Sequence, residues 1–147
     1  MKYIHTKEEA KMANYYCTCR TNYFKVTDED KYKELFENLE AEDIIEDFTE
    51  ETEDGTILHG FGCYASIDYP SKEDEYDFDE FIKGIQSILP DDEAFMFFES
   101  GHEKLRYVVG YCTVVTNKEV RYMSLDNWAK TQAKEILGED FTTSTTY

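Results

Sequence analysis

Residues 15–39, YYCTCRTNYFKVTDEDKYKELFENL, decide the architecture, because a strand-type segment runs straight into a helix-type segment. From Tyr15 to Phe24 the chain is rich in aromatic and β-branched side chains, which suit a pleated, half-buried surface. Alternation places Tyr15, Cys17, Cys19, Thr21 and Tyr23 on one face. Thr27 reads as a helix N-cap, with Asp28, Glu29 and Asp30 in a first turn whose free N–H groups favour negative charge. Tyr32, Leu35, Phe36 and Leu39 follow at i, i+3, i+4 and i+7, which predicts an amphipathic helix.

Downstream, 44–49 reads as a short strand, and Asp54-Gly55 is a hairpin signal before a strand over 56–67. On that strand Ile57, His59, Phe61, Cys63, Ala65 and Ile67 share a face, while Gly60 and Gly62 mark close backbone approach on the other. Phe78, Phe81, Ile82, Ile85, Ile88 and Leu89 predict a second helix, which Pro90 ends. The run 94–98 predicts a strand buried on both faces, and Ser100-Gly101-His102 a turn into a strand over 105–116. Another strand is expected over 120–123. Ser124 or Asp126 then caps a last helix with Leu125, Trp128, Ala129, Gln132 and Ile136 along one side, and Gly138 stops it.

The order β-α-β-β-α-β, then β-β-α, predicts an α+β fold. Its expected form is a ferredoxin-like split β-α-β antiparallel sheet with helices on one face, extended by a C-terminal β-hairpin and helix. At 147 residues the expectation is one domain over 1–147, with 1–12 an accessory N-terminal segment and 141–147 a tail.

The formal net charge is −18, far beyond what solubility requires of a small domain. Between Thr27 and Asp54 stand 14 acidic and 2 basic residues, and between Asp68 and Glu80 stand 7 acidic and 1 basic. Those two segments carry the whole net charge, because the remaining acids and bases balance at 12 each. Segregation of this kind points to a surface patch for a basic partner; the competing reading is two solvated faces with no partner. Tyr64, Tyr69, Tyr76 and Phe48, interleaved with the acids, are candidate anchors for such a contact, and core packing is the alternative for Phe48.

The chemistry-bearing residues exclude more than they suggest. Cys17 and Cys19 form C-x-C, but the C-x₂₋₄-C knuckles that usually supply zinc ligands are missing. Cys63, Cys112, His59 and His102 complete no better motif, so the thiols are expected to fill a sheet face as small hydrophobes, reduced, with no metal and no cofactor. His59 and Cys63 share a strand face but are ~13 Å apart at the usual rise per residue, too far to form a catalytic pair. The acidic run 74–79 lacks the glycine and terminal glutamate of a calcium loop, and no phosphate-cradling glycine motif occurs. No catalytic residue is assigned, and the chain is read as a binding protein rather than an enzyme. Direct nucleic-acid binding is disfavoured because a chain at −18 repels phosphates. No run of ~18 apolar residues could cross a membrane, so a cytoplasmic location is expected.

At Asn14–Phe24, and again at His59-Gly60-Phe61-Gly62 and Phe98-Glu99-Ser100-Gly101, the chain resembles small acidic uncharacterised proteins of Gram-positive phages and mobile elements. Met12-Ala13-Asn14 is similar to the start of ferredoxin-like proteins of the YubB and Api92-like type, which makes Met12 an alternative start. The resemblance implies residence on a phage or mobile element in a bacterial host cell. It implies a role as an anti-CRISPR or anti-restriction protein, and it transfers no catalytic residues. Carboxylates one helical turn or two strand residues apart stand ~5–7 Å from one another, comparable with the step between phosphates along a DNA strand. The expected function is therefore a DNA-mimic inhibitor of a basic defence nuclease. Its partner-binding surface is Glu34, Glu37, Glu40, Glu42, Asp43, Glu46, Asp47, Glu50, Glu51, Glu53, Asp54, Glu73, Asp74, Glu75, Asp77 and Asp79. The alternative is a self-associating structural or regulatory module, a homodimer in which the acid serves only solubility.

Overall fold

The computed structural model describes residues 15–71 and 75–143. The accessory segment with Met12, the acids Glu73 and Asp74, and the end of the tail lie outside them. The first strand, β1 (Tyr16–Thr21), is followed by helix α1 (Glu29–Glu37) and six strands of two or three residues: β2 (Glu40–Ala41), β3 (Glu46–Asp47), β4 (Glu50–Glu51), β5 (Ile57–Leu58), β6 (Phe61–Cys63) and β7 (Ile67–Asp68) complete the first half. Helix α2 (Phe78–Gln86), strands β8 (Phe95–Glu103), β9 (Tyr107–Val115) and β10 (Val120–Ser124), and helix α3 (Leu125–Leu137) form the second.

Six of the strands make one sheet in the order β10-β9-β8-β1-β6-β3, and every ladder in it is antiparallel. β1 is an interior strand, paired along its length with β8 from Tyr16 opposite His102 to Thr21 opposite Phe97. On its other side Cys19 lies opposite Cys63 of β6. The chain passes through α1 between β1 and β3, and through α2 between β6 and β8. Two short ribbons, β2 with β7 and β4 with β5, stand outside this sheet.

Both of these helices press apolar stripes onto one sheet face. Tyr32, Leu35 and Leu39, with Phe81, Ile82, Ile85, Ile88 and Leu89, join Cys19, Phe61, Cys63, Phe95, Phe97 and Val115 in a single buried cluster. Phe24 and Phe95 meet edge to face with centroids 5.0 Å apart, the favourable aromatic geometry. α3 approaches from the other side: Leu125 packs over Gly110, which alternates on β9 with the inward Tyr111.

Several local expectations are corrected. The cap of α1 is Asp28, whose carboxylate accepts from Lys31 N at 2.9 Å; Thr27 instead gives both its N–H and its hydroxyl to Ile88 O. The strand over 56–67 is broken into β5, β6 and β7, because its ends pair with different partners. The run 94–98 is buried on one face only: Phe95, Phe97 and Glu99 point under the helices, while Phe98 is 46% exposed. Ser100-Gly101-His102 is not a turn. β8 continues to Glu103, and the chain reverses over 104–106, where Lys104 takes φ +50°. Gly101 serves packing instead, since a Cβ there would stand 2.4 Å from Tyr16 O. Finally, α3 buries none of its residues, so Leu125, Trp128 and Ile136 form no core-facing stripe.

Candidate functional site

The expected partner-binding acids lie on α1, β2, the loop between β2 and β3, β3, the β4–β5 ribbon, and the approach to and first turn of α2. All fourteen that the structure describes are exposed, except for the half-buried Glu40. Some are tied into local structure. Asp77 caps α2 by accepting from Asp79 N at 3.0 Å, Asp43 accepts from Ile44 N, and Asp47 accepts from Thr49 N. Asp54 accepts from the Thr52 hydroxyl and from Thr56 N across the Gly55 turn, and these bonds hold its carboxyl below the usual range. Glu37 stands 4.0 Å from Lys33. Glu34, Glu42, Glu46, Glu50, Glu51, Glu53, Glu75 and Asp79 make no side-chain hydrogen bond or ion pair with another described residue.

The two charged segments meet at the β2–β7 ribbon. Glu40 lies opposite Asp68, and the Tyr76 hydroxyl donates to Glu40 Oε1 at 3.1 Å. Ser71 N to Glu75 O at 2.6 Å and Asp77 N to Tyr69 O at 2.8 Å fold the second segment back beside the first. Burial, then the charges of Glu34 on α1 and Glu80 on α2, push the Tyr69 phenol above its ordinary range. Asp68 is raised too, first by the loss of hydration around its carboxyl and then by the Glu99 and Glu40 charges. Glu50, Glu51, Glu53 and Asp54 stand apart on the β4–β5 ribbon, while Glu46 and Asp47 sit on the sheet's edge strand, where charge also deters edge pairing.

Of the candidate aromatic anchors, Tyr64 is 71% exposed and Tyr76 is open beside Glu40. Tyr69 packs against Phe81, and Phe48 is half-buried with the Arg20 guanidinium 4.8 Å over its ring. His59 is buried and bonded to Glu29 Oε1 at 2.8 Å and to the Thr49 hydroxyl at 3.2 Å, away from Cys63. Cys63 points its thiol at Asp43 O, and burial is the main cause that raises it.

One cluster was invisible to motif reading. Glu99 is 7% exposed, yet its Oε1 accepts from Tyr111 OH at 2.8 Å and Cys19 Sγ at 3.2 Å. Its Oε2 accepts from Tyr15 OH at 2.9 Å and Ser66 Oγ at 3.4 Å. Among the described residues no Lys, Arg or His lies within ion-pair distance of it. The signal that finds it is alternation: Glu99 follows Phe95 and Phe97 on the inward face of β8.

No family model matches the sequence, and neither a curated protein nor a solved structure matches the chain. No helix among the described residues is long and apolar enough to cross a membrane.

Proposed function

We propose that this chain is a non-enzymatic, acidic DNA-mimic inhibitor that occupies the basic nucleic-acid groove of a host defence nuclease, a CRISPR effector or a restriction enzyme. The observation that carries the reading is the junction of the two charged segments at Glu40 and Asp68, where the half-buried Glu40 of β2 meets the exposed Asp68 of β7 and the Tyr76 that leads into α2. A protein that gathers like charge at a cost in folding stability presents what Lys and Arg of a phosphate-binding groove recognise. The fold reading that accompanies it is a ferredoxin-like split β-α-β unit carrying an extra hairpin and helix. The order β8-β1-β6-β3 with α1 after β1 and α2 after β6 supports it. Residence on a phage or mobile element, in the bacterial cytoplasm, belongs to the same proposal.

The test is affinity capture from a bacterial host lysate at low salt, eluted with a salt gradient. A basic nuclease or its guide-bound complex leaving at high salt is expected. Recovery of the chain alone would turn the account to its second reading, a self-associating module. That reading is favoured by α3, which exposes Trp128, Ile136 and Leu137, and whose Leu125 lines an open sheet face with Tyr16 and Val108.

A further inference from the structure

We propose that Cys17, Cys19 and Glu99 form a binding site for a thiophilic divalent cation of the zinc type. Their ligand atoms, two thiol sulfurs and a carboxylate oxygen, all lie within 4.8 Å of one another. A tetrahedral zinc ion with its usual bond lengths places sulfur and oxygen ligands ~3.6 Å apart and two sulfurs ~3.8 Å apart, so small rotations of the side chains close the site. Cys19 Sγ and Glu99 Oε1 are already at 3.2 Å.

The sheet supplies what the sequence motif lacks. Cys17 and Cys19 project from the same face of an interior strand, and Glu99 stands on the neighbouring strand directly opposite Cys19. This register replaces the second cysteine pair of a knuckle with a carboxylate from a segment 80 residues away. The carboxylate is also held as an outer shell would hold it, with Tyr15 and Tyr111 hydroxyls on its two oxygens. A fourth ligand position opens toward Cys17, which is half-buried and bonded at 3.3 Å to the exposed Ser66.

The charge balance favours the exchange. Binding releases one proton from each thiol to solvent, forms two metal–thiolate bonds and one metal–carboxylate bond, and ends the donation of the Cys19 thiol to Glu99 Oε1 and to Ala65 O, each now at 3.2 Å. The cluster holds one net negative charge before the exchange and one after it, so no new buried charge is created. Two thiolates select a soft or borderline ion over magnesium or calcium, which the exposed carboxylates elsewhere would attract loosely.

The full chain, kept reduced with a phosphine, is titrated with cobalt(II). One equivalent giving a thiolate-to-cobalt charge-transfer band, displaced by zinc, is expected, together with a rise in Tm with zinc and none with magnesium. Cys17→Ser and Cys19→Ser abolish the band, Glu99→Gln weakens binding by about tenfold or more, and Cys112→Ala, on the opposite sheet face, leaves it intact. Cys17→Ser is the deciding variant should Cys19→Ser unfold, since Cys17 lies at the edge of the core. Absence of the band, or a band that survives Cys17→Ser in a chain with unchanged circular dichroism, overturns the site.

Discussion

Glu99 concentrates the electrostatic strain of the interior, because four neutral donors and no described cation surround its carboxylate. Deleting the acceptor leaves the half-buried Tyr15 and Tyr111 hydroxyls without their partner, so Glu99→Ala is expected to cost roughly 1–3 kcal/mol in urea unfolding. An unchanged midpoint would mean that these bonds are replaced by solvent. The same carboxylate acts on its donors. Burial first, then the hydrogen bond to Glu99 and its charge, push the Tyr15 and Tyr111 phenols above their ordinary range; burial, then Asp47 and Glu29, do the same for Tyr32. Each folded-state value lies above the unfolded value of ~10, so the stabilisation is complete below that pH and is lost as pH rises through the folded values. Phenolate absorbance followed beside circular dichroism is expected to show these three tyrosines ionising only as the chain unfolds. Their early ionisation in a folded chain would contradict the described burial.

At the scale of elements, the contact of β1 with β8 depends on Gly101, where a Cβ would meet Tyr16 O at 2.4 Å and Cys17 Cβ at 2.6 Å. Backbone cannot yield as a flexible side chain can, so Gly101→Ala is expected to destabilise by about 1–3 kcal/mol, an overpacking cost read from thermal or urea unfolding. The two interior helices and the strand 16–21 were legible from periodicity, because burial of one apolar stripe fixes both period and phase. The end of β8 was not. Ser100-Gly101-His102 carries turn residues, and only the neighbouring strand shows that glycine is needed there for close approach. α3 shows the opposite failure: its apolar spacing is real, but apart from Leu125 over Gly110 the sheet leaves Trp128, Ile136 and Leu137 exposed. Trp128, 55% exposed, is therefore expected to emit at long wavelength at low concentration. A blue shift with rising concentration, tracking a doubled mass, would establish the self-associating reading.

Across the whole molecule the charge divides the surface, with −18 confined to the two segments that meet at β2 and β7. Which acids carry charge was legible in composition; which of them converge was not, because the Glu40 and Asp68 contact depends on chain reversal over 28 positions. The Glu99 cluster was equally hidden, since its members come from Tyr15 just before β1, from β1, the loop before β7, β8 and β9, and make sense only in register. Long-range attraction between a carboxylate surface and a cationic groove must weaken as salt screens it. The measurement that bears most directly on the inhibitor reading is displacement of labelled duplex DNA from the captured nuclease by this chain, titrated at low and at high salt. It is repeated with a variant carrying Glu34→Lys, Glu42→Lys and Glu75→Lys. The account predicts competitive displacement that falls steeply with salt and falls again in the charge-reversed variant; displacement indifferent to both salt and charge reversal would contradict it.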